Sequence, residues 1–152
     1  MHISQFNTYS FIDSFDKNKI SNFSSNHNII YRNYEHKIDL KTIFQIKKVC
    51  KRNKIKFYLA NNIKLALQAN LDGVYIPSFN KSLNLNNFKN KRKNFTIIGS
   101  AHNISEIKFK EKQGINLIFL SPLFLTKNYK NCLGTVKFNL ISRLTNKKII
   151  AL

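Results

Sequence analysis

The sequence predicts an α/β protein whose parallel sheet is covered by helices, and three observations predict it. Short apolar runs alternate with helical stretches almost to the last residue. Those runs are apolar throughout rather than at every second position, as strands buried on both faces are. At 43% hydrophobic over 152 residues, the chain can also bury a substantial core. Domains commonly run to roughly 100–200 residues, so a single domain spanning 1–152 is expected.

The elements follow in order. Thr8 to Asp13 and Asn28 to Arg32 read as the first two strands. Asp39 is a good N-cap, since its carboxylate can accept from free N–H groups of a first helical turn. After it, Leu40, Ile43, Phe44, Ile46, Val49 and Cys50 recur near helical spacing. Lys51, Arg52 and Lys54 follow, where positive charge complements the helix dipole. Ile55 to Ala60 is the third strand, and Ile63 to Asn70 a short Ala/Leu helix.

Asp72-Gly73 turns the chain into Val74-Tyr75-Ile76, a strand ended by Pro77. The polar segment Asn80 to Asn94 supports at most a weak helix. Phe95 to Gly99 is the next strand. Asn103 with Glu106 has capping-box spacing, and Gly114 closes the helix they start. Ile115 to Ser121 is the most apolar strand. Val136, Leu140, Ile141 and Leu144 share one helical face, and Lys148 to Leu152 is a final strand. Seven strands and about six crossovers fit either an open doubly wound sheet or an incomplete eight-fold barrel. Periodicity alone does not choose between them. With four glycines and no Gly-x-Gly-x-x-Gly after the first strand, a dinucleotide-binding fingerprint is excluded.

The net charge of +19 points either to a nucleic-acid partner or to compositional background. Basic residues are spread through nearly every segment, and only four of the 26 are Arg, the residue that makes bidentate phosphate and base contacts. Background is the preferred reading, with a basic nucleic-acid binder as a minority alternative. No run approaches the ~20 apolar residues of a membrane span, and the N-terminus carries no signal-peptide pattern. Cys50 and Cys132 stand far apart in unrelated contexts, which fits free thiols and a cytoplasmic setting. Four scattered histidines show no metal-ligand spacing.

Several segments, in order, resemble the thiamin phosphate synthase/TenI family. Leu59 to Ala66 is similar to that family's Ile-Asn-Asp-Arg-x-Asp-Leu-Ala, and Leu71 to Ile76 to its Ala-Asp-Gly-Val-His-Leu. The clearest match is Ile97-Ile98-Gly99-Ser100-Ala101-His102-Asn103, beside Ile-Gly-Val-Ser-x-His-Thr with one residue fewer. Phe119 to Thr126 resembles Phe-Gly-Pro-Val-Phe-Pro-Thr, and Gly134 stands where a glycine opens the next helix. Of the second strand's Gln-x-Arg-x-Lys, only Arg32 remains, with Tyr34 in place of the lysine. The resemblance runs from about Thr8 to Leu152. It implies a parallel (β/α)8 TIM-type barrel, incomplete and ending at about strand seven before the Gly-Gly-Ile phosphate loop. Open barrel edges would then offer a route to self-association.

The resemblance implies two chemistries. The synthase captures a pyrimidine carbocation, formed by loss of pyrophosphate, with a thiazole phosphate, and needs Mg²⁺ on carboxylates. The metal aspartates map onto Asn61 and Asn80, which supply no charge, so Mg²⁺ is expected only if synthase activity is retained. The TenI-type reaction is a proton shift on a thiazole carboxylate phosphate. It needs no cofactor, only an acid/base such as imidazole. His102, at the end of a barrel strand, occupies the position of the TenI-type catalytic histidine. Arg32, Asn61, Ser100 and Thr126 are the candidate substrate- and phosphate-binding residues. Tyr75 packs, and His2, His27 and His36 receive no role. The expected activity is metal-independent and tautomerase-like rather than that of an active synthase. A barrel that binds or regulates without chemistry is the alternative.

Overall fold

Apolar runs without alternation are buried on both faces only when helices cover a parallel sheet, and the structure, a computed structural model, has that arrangement. It describes residues 7–36, 38–88, 91–125 and 131–152. In sheet order the strands follow the chain, β1 to β7. The chain divides into two compact units, the first ending at Val74 and the second running from Tyr75 to Leu152.

The first unit holds β1 (Thr8–Ile12), α1 (Lys17–Ser21), β2 (His27–Tyr31), α2 (Leu40–Arg52), β3 (Lys56–Ala60) and α3 (Ile63–Gln68). It also contains the start of β4 (Gly73–Ile76). β1 pairs parallel with β2, Thr8 opposite His27 and Ile12 opposite Tyr31, and β2 pairs parallel with β3. Ile29, Ile30, Phe57 and Leu59 are buried on these strands. Asp39 caps α2 as its sequence position suggested, accepting the Lys41 and Thr42 N–H groups at 3.1 Å each. On α2, Ile43, Ile46, Val49 and Cys50 face inward, whereas Leu40 and Phe44 are exposed. Short α1 has no apolar period to betray it. It is held by Asp16, which accepts from the Lys19 N–H at 3.0 Å, and by the buried Ile20.

The second unit holds the rest of β4, a 3-10 turn at Asn84–Phe88, β5 (Thr96–Ala101), α4 (Ile104–Lys112), β6 (Leu117–Leu120), α5 (Gly134–Ser142) and β7 (Lys148–Ala151). β5 pairs parallel with β6, and β6 with β7. Its core is Ile97, Ile98, Ile107, Ile115, Ile118, Phe119 and Leu120. Among its described residues, the polar stretch after Asn80 contributes only the 3-10 turn. On α5 the expected apolar face splits: Ile141 is buried, but Val136 and Leu140 are exposed, as is Leu144 just beyond the helix. Among the described residues, no helix is long and apolar enough to cross a membrane.

Candidate functional site

Strand β5 runs two residues further than its sequence suggested, to Ala101, so Ser100 lies inside it and His102 immediately beyond. Ser100 is buried, and its Oγ accepts a hydrogen bond from the equally buried Tyr75 hydroxyl at 2.9 Å. The Tyr75 ring lies 6.1 Å from that of Phe119, centroid to centroid, tilted by 34°. The tyrosine therefore packs, as expected, but also orients the serine.

His102 is fixed by the helix it precedes. Asn103 caps α4, its Oδ1 accepting the Glu106 N–H at 2.9 Å. Glu106 reaches back: its Oε2 accepts the His102 backbone N–H at 2.9 Å and lies 3.0 Å from the imidazole Nδ1. A carboxylate only accepts, so the contact places the ring proton on Nδ1 and leaves Nε2 as the basic nitrogen. The His102 side chain is 36% exposed. The capping-box spacing revealed Glu106 as a cap. It did not reveal that the same carboxylate grips the imidazole.

Arg32 lies in the first unit, one residue beyond β2. Its N–H donates to the Ile12 carbonyl at 2.8 Å, and its guanidinium sits 4.4 Å from the centre of the Phe11 ring. It borders a cavity of about 450 Å³ at the ends of β1 and β2, shared with Asp13, Asn33, Tyr34, Glu35 and His36. Asn33 builds this wall: its Nδ2 donates to the Asp13 carbonyl at 3.0 Å, while its Oδ1 accepts the Glu35 and His36 N–H groups at 3.1 Å each. Two of the chain's seven acidic residues thus share the cavity with Arg32. Sequence reading missed them because they flank different strands.

Asn61 follows β3 with φ +57°, in the left-handed region that Asn tolerates better than most residues, and turns the chain into α3. Thr126 lies outside the described residues. At the positions mapped to Mg²⁺, Asn61 and Asn80 bring no charge. The Asn80 backbone carbonyl is already engaged by Lys110 Nζ at 3.1 Å and Gln113 Nε2 at 3.0 Å. Among the described residues, no group of three or more His, Cys, Asp or Glu could hold a metal ion. The described residues, with Asn at both mapped positions, do not fit the metal.

Seven strands in chain order among the described residues, with an imidazole beyond a strand end, fit the class of TIM-type (β/α) barrel proteins, here incomplete. The family model described as "Thiamine monophosphate synthase" (TMP-TENI) matches residues 27–152, and the chain belongs to this family. It is 29% identical over 112 residues to "Putative thiamine-phosphate synthase 2" of Aquifex aeolicus, covering 71% of this chain and 58% of that protein. It is 31% identical over 110 residues to "Thiamine-phosphate synthase" of Prochlorococcus marinus, covering 70% of this chain and 31% of that protein. The chain therefore spans less than two thirds of either relative. Among solved structures, thiamine phosphate pyrophosphorylase from Pyrococcus furiosus matches with a TM-score of 0.72 at 13% identity, over 97% of this chain and 75% of that one. Citrate synthase SbnG matches with a TM-score of 0.65, also at 13% identity, over 97% of this chain and 78% of its own. Two differently named enzymes at that identity establish the fold and no reaction.

Proposed function

We propose that this chain is a thiamin phosphate synthase/TenI-like protein of thiamin biosynthesis, a single barrel domain over 1–152 acting in the cytoplasm. It handles a thiazole phosphate by metal-independent proton transfer at His102. The observation that carries the reading is the Glu106–His102 contact, which supplies an oriented imidazole just beyond a strand end. In a tautomerisation, Nε2 takes a proton from one ring position and returns one at another. The ring becomes aromatic, and no electron or group leaves the substrate. Ser100, set by Tyr75, is a polar contact for the ring, and Arg32, Asn61 and Thr126 are assigned to substrate and phosphate binding by resemblance alone.

Calorimetric titration of the full chain with a thiazole phosphate tests this reading, with saturable binding expected. Absence of heat with both thiazole phosphates and thiamin phosphate would overturn it. Mg²⁺-dependent release of pyrophosphate from a pyrimidine pyrophosphate at ordinary enzyme rates would instead assign synthase activity.

A further inference from the structure

We infer that Lys110 is the resident cation of the loop that follows β4, and that this loop consequently receives no divalent metal ion. Lys110 lies on α4, one turn beyond the glutamate that grips His102, and is wholly buried. A buried ammonium is costly unless its donors are satisfied. Here Nζ donates to the Pro77 carbonyl at 2.8 Å and to the Asn80 carbonyl at 3.1 Å. Gln113, buried beside it, donates from Nε2 to the Asn80 and Ser82 carbonyls at 3.0 and 2.8 Å. Four hydrogen bonds from two side chains thus hold the Pro77, Asn80 and Ser82 backbone oxygens beside a positive charge and its amide neighbour.

Room for the lysine stem comes from β5. A Cβ on Gly99 would lie 3.2 Å from Lys110 Cδ and 3.1 Å from Ile115 Cγ2, tighter than ordinary packing. Carbonyl oxygens converging on a charge are what a hard cation also seeks. In this chain the protein supplies that charge itself, on a four-carbon stem. Burial lowers the Lys110 pKa to about 8, with Lys81 pushing the same way and Glu106 opposing, so the amine is still mostly charged at neutral pH. A divalent ion at Asn80 would meet a residue whose backbone carbonyl is already committed to this ammonium, with no carboxylate among the mapped residues to offset that charge.

The inference deepens the metal-independent reading of the site and rests on it, but it is tested separately from thiazole phosphate binding. Mn²⁺ is titrated into the full chain and free ion is followed by electron paramagnetic resonance. No saturable binding through the low millimolar range is expected. Hydrogen exchange of residues 77–82 is then compared between wild type and Lys110→Met. Exchange should accelerate by about tenfold or more in the variant, with β5 and β6 amides unchanged. Should the variant not fold, reductive methylation of wild type at neutral pH decides: Lys110 is expected to resist while Lys108, half exposed on the same helix, reacts. Saturable Mn²⁺ binding that Asn80→Ala abolishes overturns the inference. So does unchanged loop exchange in a folded Lys110→Met, or methylation of Lys110 at the rate of Lys108.

Discussion

Glu106 holds His102 at two points with one atom, Oε2 meeting the backbone N–H at 2.9 Å and the imidazole Nδ1 at 3.0 Å. Backbone and side chain are thereby fixed together, and removing the carboxylate frees both. If His102 is the acid/base, His102→Ala should lower thiazole turnover by about 10²–10⁴-fold. Glu106→Ala should fall between that variant and wild type. Glu106→Gln, which keeps an acceptor oxygen, should lose less. Single-turnover rates at saturating substrate read all three, and a His102→Ala protein working at the wild-type rate would assign the barrel to binding without chemistry.

The Tyr75–Ser100 hydrogen bond is buried at both ends. Tyr75→Phe strips the donor and leaves the serine oxygen desolvated, which should cost about 1–3 kcal/mol in urea unfolding. Ser100→Ala should also destabilise. Because the two groups share one bond, the double variant should lose less than the sum of the singles.

Acid should weaken the fold through two hydrogen-bonded carboxylates. Backbone hydrogen bonds from Lys41 and Thr42 hold the Asp39 carboxyl below its ordinary range. The Thr145 hydroxyl, aided by Lys108, does the same for Glu111. A carboxyl whose folded pKa is depressed contributes stability above its unfolded value and loses it as pH falls through the folded one. Urea midpoints should therefore decline below about pH 4. Asp39→Asn should flatten that decline while lowering stability at neutral pH.

The two thiols should separate cleanly. Burial, with Asp72 adding to it, pushes the Cys50 thiol up to about 12, whereas Cys132 is exposed. Only the thiolate attacks a disulfide reagent. At pH 8 the native protein should release one equivalent of chromophore rapidly from such a reagent, and a second only in denaturant. Two fast equivalents in native buffer would contradict the burial of Cys50.

The sequence by itself determined the parallel α/β class, because apolar runs without alternation and helical spacing are local patterns. It also marked Asp39 and Asn103 as caps, since a cap reaches only two or three residues along its own chain. His102 was legible as the residue ending a strand, by motif rather than by environment. Tertiary structure alone decided what each polar side chain meets. Lys110 reads as a surface charge in sequence, yet it is buried beneath carbonyls thirty or more residues away. The apolar face of α5 reads as core, yet only Ile141 is covered. Arg32 reads as an isolated cation, yet its cavity includes Asp13 from the end of another strand. The physical reason is the same each time. Periodicity fixes how a segment folds upon itself, whereas desolvation and hydrogen-bond satisfaction depend on partners that only chain folding brings near.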